Sequence, residues 1–484
     1  MKNILEKYKN MNVMVKASIW FTICSIIQKG ISVITLPIFT RIMSIEQYGE
    51  YNVFLTWYNI ILIIISFNIQ SEVFNKGLSE HKDSMSKYTN NQIGLMIILL
   101  FIYTIIYVLF RNFINNILHL STFMMFLIII EIFCSTIIEF WRSQKKFEYN
   151  YKKIVVISLL CTVFSPIIGI IAVLNTPYKV EAKIISNILI PLICSVVILI
   201  SYLKNNKISY NTKIWKKTLF LALPLLPHYL SLVLLNQSDR LMINYFIGSA
   251  SAAIYSVAYS AGFLLIIINN SINSSIVPWL YERIKNKNLV SINKIVSGLF
   301  YIVAAVNLFL IWLAPECISI FAPSSYQSAI WCLIPISISV FFSFVYSICV
   351  DLEVFFEKNI YITISTIIST ILNLVLNLIF IPRYGFISAA YTTLFSYFIL
   401  MILHLIFTSK VLKNNSISIK TIISNNTIII CSLILCIGAI IAAFLYNYMV
   451  IRIVLLFIVS IVIIIFRKKI IDYLKAIKKN KRGV

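Results

Sequence analysis

Long apolar stretches alternate with short polar segments along almost the whole chain. A helix needs about 20 apolar residues to cross the hydrocarbon core of a bilayer. This criterion predicts fourteen membrane spans, at 17–40, 51–71, 93–111, 118–140, 154–174, 182–203, 218–246, 251–279, 295–321, 328–350, 360–381, 385–408, 421–446 and 449–466. No polar segment between them is long enough for a globular domain. We therefore expect an all-α polytopic membrane protein.

The distribution of basic residues supports this count, because Lys and Arg collect in cytoplasmic membrane loops. An even number of spans puts both termini on one side, which we assign to the cytoplasm. Most of the 41 Lys and Arg residues then fall in the inside loops and the tail. The outer loops are assigned six basic residues: Arg41, Arg111, Lys179, Lys183, Arg383 and Arg452.

The composition excludes several classes of protein. Of 484 residues, 60% are hydrophobic and 12% are charged, which is too apolar for a soluble domain. The net charge of +24 is spread over short clusters and forms no single basic patch for nucleic acid. The nine cysteines are scattered without metal-ligand spacing, and no phosphate-binding glycine loop occurs. We expect no cofactor, no nucleic-acid partner and no enzymatic activity.

A shift of 204 residues aligns two joins between spans. Met43–Tyr51 falls on Ile247–Tyr255, so Tyr51 corresponds to Tyr255. Six spans separate the joins, and an even number gives parallel repeats with a pseudo-two-fold axis along the membrane normal. The predicted organisation is one six-helix lobe at 1–210, a second at 211–412, and two further spans with a basic tail at 413–484.

The segments Arg41 to Tyr51 (RIMSIEQYGEY) and Asn236 to Tyr259 (NQSDRLMINYFIGSASAAIYSVAY), within the fourteen-span plan, resemble the Wzx-type polysaccharide flippases. Their superfamily also contains multidrug and toxin extruders and lipid II flippases. The resemblance implies a bacterial cytoplasmic-membrane protein that moves undecaprenyl-pyrophosphate-linked oligosaccharide to the outer leaflet by alternating access. It would serve the synthesis of surface polysaccharide such as O-antigen or capsule.

Other functions stay open at this point. A lipid II flippase or a multidrug extruder would share the architecture, and an integral-membrane polymerase or glycosyltransferase would share the apolar composition. The expected partners are the lipid-linked oligosaccharide, membrane lipids, and a polysaccharide polymerase with its chain-length proteins. A proton or sodium gradient could drive the transport.

Lys29 lies about midway along the first predicted span, where an unpaired charge is costly. Ser25 and Ser32 share its helix face, and the opposite face is apolar. A polar stripe of this kind predicts a cavity wall, where an ammonium group could bind a pyrophosphate. The alternative is a lysine paired with a buried glutamate for packing.

The seventh predicted span carries several polar residues near its far end. Asn236 and Arg240 share a face at i and i+4, so both are candidates for the substrate cavity. Arg240 could equally extend to the outer headgroups. Pro224 and Pro227 predict a kink in this helix.

Three acidic residues are candidates for ion coupling: Glu131, Asp239 and Glu72. Glu131 lies near the middle of span 4, where burial could keep its carboxyl protonated and make it a proton carrier. It could also be a structural partner of Lys29. We interpret Glu353 as a solvated residue at a cytoplasmic helix end, and His404 as isolated.

Four asparagines in two predicted spans complete the cavity candidates: Asn269, Asn273, Asn373 and Asn377. Amide side chains are costly in lipid, but they could bind glycan hydroxyl groups. Hydrogen bonds between neighbouring helices are the alternative role for each of them.

Overall fold

The computed structural model describes residues 12–205 and 210–455, and within these residues all regular structure is helical. Helices α1–α9 are Val13–Ile42, Ile45–Ser66, Glu72–Glu80, Met85–Leu109, Arg111–Leu118, Thr122–Phe147, Tyr151–Leu174, Lys179–Asn205 and Thr212–Ala222. Helices α10–α17 are Leu226–Phe246, Ser249–Lys285, Ile292–Trp312, Ala314–Phe321, Ala329–Phe355, Asn359–Tyr384, Ile387–Asn414 and Asn425–Leu445. The predicted fold class is confirmed.

Twelve of the described helices are long and apolar enough to cross a membrane. Thr212–Phe246, which joins α9 to α10, counts as one of them. The predicted second span corresponds to α2, which is not among the twelve. Most of the fourteenth predicted span lies outside the described residues.

The chain forms two compact units, an N-terminal unit at 1–237 and a C-terminal unit at 238–484. The division falls within α10, between Gln237 and Ser238. The sequence-based lobe boundaries at 210/211 and 412/413 stay predictions.

Each of the two joins aligned in the sequence is a two-residue connection between long helices. In the N-terminal unit, Ser44 caps α2 by accepting a hydrogen bond from the Gln47 amide, and the Gln47 side chain accepts one from the Ser44 amide. This reciprocal capping box satisfies donors that lack partners within the helix. In the C-terminal unit, Gly248 has φ of +125°, a conformation that side chains with a Cβ rarely adopt. Different local chemistry therefore makes two equally short turns.

The prolines of the seventh predicted span interrupt the α-helix. A 3₁₀ turn at Leu223–Leu225, which contains Pro224, separates α9 from α10. Proline has no amide hydrogen to donate and its ring collides with the preceding turn. The predicted irregularity is therefore present.

Helix α14 is the central helix of the C-terminal unit and is buried along most of its length. It packs chiefly against α16 and α11. Helices α1, α7 and α15 instead expose large apolar side chains, as helices that face lipid do.

The last described helical residues are fastened to the C-terminal unit by Arg452, which is only 2% exposed. Its guanidinium donates to both carboxylate oxygens of Glu316, at 2.9 and 2.7 Å, and to the Trp312 carbonyl at 2.7 Å. Such two-pronged pairing is the strongest form of Arg–carboxylate contact.

Candidate functional site

Asp239 is the centre of a fully buried polar cluster in the C-terminal unit. Its carboxylate accepts hydrogen bonds from the Asn377 amide at 2.6 Å, from the Thr393 hydroxyl at 2.6 Å, and from the Tyr255 hydroxyl. Three donors from three helices thus surround one acid that is 1% exposed. A buried carboxylate is tolerated when its oxygens are paired in this way.

A second layer of hydrogen bonds orients the groups that touch Asp239. Asn377 also donates to the side-chain oxygen of Asn373 at 3.2 Å, and it accepts a bond from Thr392. Asn373 donates to Thr393 at 3.4 Å. The result is a cluster of carboxylate, amide and hydroxyl oxygens, the ligand types that hard cations prefer.

Helical periodicity explains how these residues meet. Asn373 and Asn377 are four residues apart on α15 and therefore lie on one face. Thr392 and Thr393 lie near the start of α16, directly after the turn at Gly385, so the two helices place these side chains side by side. Two predicted cavity residues and one predicted ion-coupling residue thus belong to one cluster.

Arg240 follows Asp239 on α10 and has a different neighbour. Its guanidinium lies over the ring of Tyr259, 4.6 Å from the ring centroid. A cation over an aromatic face is attracted by the electron density of the ring. Arg240 is half-buried.

Lys183 is a buried lysine among the described residues of the N-terminal unit, with an exposed fraction of 6%. Its ammonium lies 3.5 Å from the centroid of the Phe39 ring and donates to the Asn187 side chain at 3.1 Å. The interpretation of Lys183 as an outer-loop residue was wrong, because α8 begins at Lys179 and places Lys183 one turn inside the helix.

Tyr51 lies close to Lys183 and within electrostatic range of Glu131. The Asn187 amide donates to the Tyr51 hydroxyl at 2.7 Å, and Lys183 lies 5.6 Å from the centroid of the Tyr51 ring. The carboxylate of Glu131 interacts electrostatically with Tyr51 and with Tyr58. Glu131 itself is half-buried. Tyr51 therefore has a buried lysine beside its ring and a partly accessible acid within electrostatic range.

Gly169 permits the close packing around Lys183. A Cβ at this position would lie 2.8 Å from the Ser186 hydroxyl and 3.2 Å from the end of the Phe39 ring. Both distances are shorter than ordinary van der Waals contact. Glycine on α7 thus lets α8 and the aromatic ring below Lys183 approach.

The cavity candidates on α1 are less enclosed. Lys29 and Ser25 are half-buried and Ser32 is exposed. Among the described residues, no carboxylate lies within 4.0 Å of Lys29, so the suggested pairing with Glu131 is not present. Asn236 donates to the carbonyl of Leu232 in its own helix at 2.8 Å.

Glu72 lies at the exposed start of α3, not within a spanning helix. Its carboxylate accepts a hydrogen bond from the Tyr229 hydroxyl.

The two cavity candidates on α11 each contact α14. Asn269 is buried and donates to the Val340 carbonyl at 3.0 Å, which is the predicted alternative of a bond between helices. Asn273 is half-buried and forms a side-chain hydrogen bond with Asp351.

His404 and Glu353, which the sequence left as separate residues, form a buried pair between α16 and α14. The interpretation of Glu353 as a solvated helix-end residue was wrong, since its side chain has no exposed surface. Spacing gave one usable signal: His404 and Thr408 are four residues apart, and the residues between Tyr397 and Thr408 are otherwise apolar. Lys183 and Asn187 show the same spacing in α8. Within the described parts of the chain, no group of three His, Cys, Asp or Glu residues is arranged to hold a metal ion.

Comparison with known families gives this architecture a biological setting. Residues 14–283, more than half of the chain, match the family described as polysaccharide biosynthesis protein. The chain belongs to this family. The resemblance to Wzx-type flippases noted in the sequence is thereby confirmed. A protein of the Lsg locus of Haemophilus influenzae is 24% identical over 365 residues, covering 71% of this chain and 85% of that protein.

Solved structures of similar proteins show which fold this chain has. A lipid II flippase in an inward closed conformation is similar with a TM-score of 0.65 and 17% identity, covering 93% of this chain and all of that one. An inward-facing multidrug resistance transporter of the MATE family is similar with a TM-score of 0.60 and 14% identity, covering 82% and 99%. The protein is thus a multi-pass membrane protein of polysaccharide biosynthesis with the fold of flippases and extruders.

Proposed function

We propose that the protein moves undecaprenyl-pyrophosphate-linked oligosaccharide repeat units from the cytoplasmic to the outer leaflet by alternating access. The observation that carries this proposal is the match to the polysaccharide biosynthesis family, on a fold similar to that of a lipid II flippase. Surface polysaccharide made on a lipid carrier needs a step that moves the hydrophilic glycan through the bilayer. A protein that consists almost entirely of spanning helices suits that step better than it suits bond formation.

The pyrophosphate is the part of this substrate that needs positive charge. Lys29 is our first candidate, because it is half-buried on α1, has no carboxylate close by in the described chain, and shares a face with Ser25 and Ser32. Arg240 is the corresponding candidate in the C-terminal unit. An ammonium or guanidinium group binds a phosphate oxygen through charge-assisted hydrogen bonds.

The glycan presents hydroxyl groups, which hydrogen-bond to amides. Asn236 and Asn273 are half-buried and suit this role. Asn269, Asn373 and Asn377 are buried in bonds between helices, so for them we favour a structural role or one in ion binding.

Energy for transport would come from an ion gradient. Asp239 is the strongest coupling candidate, since a cation could exchange with the hydrogen bonds that now satisfy its carboxylate. Glu131 is the corresponding proton-carrying candidate in the N-terminal unit, and Glu72 is the weakest of the three because it is exposed. Sodium fits the oxygen-rich surroundings of Asp239, whereas a proton fits a half-buried glutamate.

We propose that the protein lies in the bacterial cytoplasmic membrane with both termini in the cytoplasm. Its partners would be the lipid-linked glycan, membrane lipids, and the polymerase and chain-length proteins that use the product.

A lipid II flippase is the second candidate, because the solved structure with a TM-score of 0.65 has that function. Both candidates handle a polyprenyl pyrophosphate, and they differ in the sugar that it carries. Expression in strains that lack one flippase or the other separates them.

The deciding experiment is complementation of flippase-deficient bacteria that each make one defined surface glycan. We expect restored surface glycan with at least one repeat unit, and loss of that glycan in Lys29→Ala at unchanged abundance in the membrane. Lys16→Ala, on the same helix, is the matched control and should behave like the unmodified protein. Rescue of a lipid II flippase deficiency alone would favour the second candidate, and wild-type glycan levels in Lys29→Ala would remove Lys29 from the substrate path.

A further inference from the structure

A cavity of about 190 Å³ lies between α3 and α9 in the N-terminal unit. Each helix lines it with one face, on which two charged residues are four positions apart: Lys76 and Glu80 on α3, and Lys213 and Lys217 on α9. A water molecule occupies only about 30 Å³ in the liquid. The cavity therefore has room for a group several times larger than water.

The floor of this cavity is fixed by hydrogen bonds between helices. Tyr88 and Thr218 line it and are buried. The Thr218 hydroxyl accepts a hydrogen bond from the Gln92 side chain at 2.9 Å, and the Trp215 indole donates to the Asn91 carbonyl at 2.9 Å. These two bonds fasten α9 to α4. The charged side chains that line the cavity are exposed, so it is closed at the floor and open at the rim.

Positive charge exceeds negative charge around the cavity. Three lysines line it, against one glutamate. Lys217 donates to Glu80 at 2.7 Å, so these two charges compensate each other. Among the described residues, neither Lys76 nor Lys213 has a carboxylate within 4.0 Å. Two ammonium groups thus line the cavity without an acid in ion-pair contact.

A second cavity, of about 370 Å³, adjoins the first, since His81, Tyr88 and Ile214 line both. It adds a further lysine, Lys87, and no acidic residue of the described chain lines it. Asp83, in the turn between α3 and α4, is exposed and lines neither cavity. The excess of positive charge therefore extends over both cavities.

The two cavities lie at the level of one membrane surface. Two candidate spans, Lys82–Leu109 and Thr212–Phe246, begin beside them. Trp215 lies near the start of the second span, and tryptophan favours the headgroup region. Farther along this span, Phe220 is 76% exposed and Leu223 is 50% exposed, which gives an apolar surface for an acyl chain. The distribution of basic residues predicts that this membrane surface is the cytoplasmic one.

This combination of features favours one kind of anion. Basic pockets between membrane helices bind the phosphate groups of anionic lipids. A free phosphate would use only the lysines, whereas a phospholipid would use the lysines and the exposed apolar side chains beside them. The lipid therefore matches more of the observed surface.

We propose that the cavity between α3 and α9 binds the phosphate headgroup of an anionic phospholipid. Lys76 and Lys213 contact the phosphate through charge-assisted hydrogen bonds, and the acyl chains lie along Phe220 and Leu223. The bound phosphate places negative charge between lysines that otherwise repel one another, so it holds α9 against α3. The site goes beyond the proposed transport and does not depend on it.

Photo-cross-linking in nanodiscs tests the site without glycan or polyprenyl lipid. The probe is phosphatidylglycerol with a diazirine in its headgroup, diluted into phosphatidylcholine. After illumination, we expect cross-links in chymotryptic peptides from 73–88 and 210–221, and unlabelled phosphatidylglycerol should suppress them. The double variant Lys76→Gln/Lys213→Gln should reduce the cross-linking at least about fivefold, because each lysine near a membrane surface contributes about that factor to lipid affinity.

The matched control is the double variant Lys82→Gln/Lys216→Gln. It removes the same charge from the same two segments, at exposed residues that line neither cavity. Cross-linking should stay at the level of the unmodified protein. Glu80→Gln removes the acid that lines the first cavity and should increase the cross-linking.

Three results would overturn the proposal. Equal cross-linking in the cavity variant and the control variant would show that only the general charge of the surface matters. Suppression by inorganic phosphate as strong as that by phosphatidylglycerol would assign the cavity to a water-soluble anion. Should the cavity variant not fold, Glu80→Gln decides, and unchanged cross-linking in it would exclude the cavity as the binding site. Because no transport substrate is present, none of these results bears on the flippase proposal.

Discussion

In each unit, the tyrosine that the sequence repeat aligns lies beside a buried ionisable side chain, which is basic in one unit and acidic in the other. In the N-terminal unit the charge is Lys183, beside Tyr51, and in the C-terminal unit it is Asp239, beside Tyr255. The two tyrosines are the residues that the 204-residue repeat aligns. Asp239 is saturated by three donors, whereas Lys183 has one hydrogen-bond acceptor among the described residues and an aromatic ring.

The two side chains therefore differ in what a ligand must replace in order to bind. A saturated carboxylate holds its helices together and yields only to a ligand that replaces all its partners. An ammonium group has three donors, so Lys183 retains capacity for an anion. The two aligned tyrosines therefore lie beside side chains of different chemistry.

The largest effect is expected from removal of the saturated charge. Asp239→Ala leaves three buried donors without an acceptor, each of which costs about 1–3 kcal/mol, so a destabilisation of about 3 kcal/mol or more follows. Thermal unfolding in detergent measures it. Asp239→Asn keeps one acceptor oxygen, so its stability should lie between that of Asp239→Ala and that of the unmodified protein. An Asp239→Ala protein that melts with the unmodified one would show that the cluster is not structural.

An intermediate effect, on activity and not on stability, is expected from the buried cation. Lys183→Met keeps the volume and removes the charge, and apolar replacement of buried charge is often neutral or stabilising, so the free energy of unfolding should change by less than about 1 kcal/mol. Surface glycan in a complemented strain should nevertheless be lost. Lys179→Met, one turn earlier on α8, is the control. Full glycan production by Lys183→Met would make this charge a packing feature only.

The smallest effect is expected from an exposed pair in the N-terminal unit. Lys217 donates to Glu80 at 2.7 Å, and this hydrogen bond lowers the pKa of the Glu80 carboxyl. A lowered pKa stabilises the fold above the ordinary pKa of glutamate, and this contribution is lost as the pH falls through the lowered value. Because both side chains are exposed, Glu80→Gln should leave the melting temperature unchanged at neutral pH. A clear drop in the melting temperature of Glu80→Gln would show that an exposed ion pair also contributes to stability. The three effects could then not be ordered by burial.

The fold was largely predictable because each spanning helix is encoded by its own run of apolar residues. The residue types of the Asp239 cluster were also predictable, since Asp239, Asn373 and Asn377 are costly in lipid. Their partner Tyr255 was not, because its hydroxyl reaches Asp239 only through the packing of two helices. Lys183 was missed because a shift of a few residues at a helix end moves a lysine from a loop into the interior. Glu353 and His404 are 51 residues apart, and no local pattern joins them.

The double contact between Arg452 and Glu316 has a practical consequence for handling the protein. Shortened chains for labelling or fusion to a reporter should end beyond residue 452. An earlier end would remove Arg452, which pairs with the half-buried Glu316 carboxylate and donates to the Trp312 carbonyl. The same contact can also be monitored: in a variant whose other eight cysteines are replaced, a fluorophore attached at Cys317, the neighbour of Glu316, would report when Arg452 detaches.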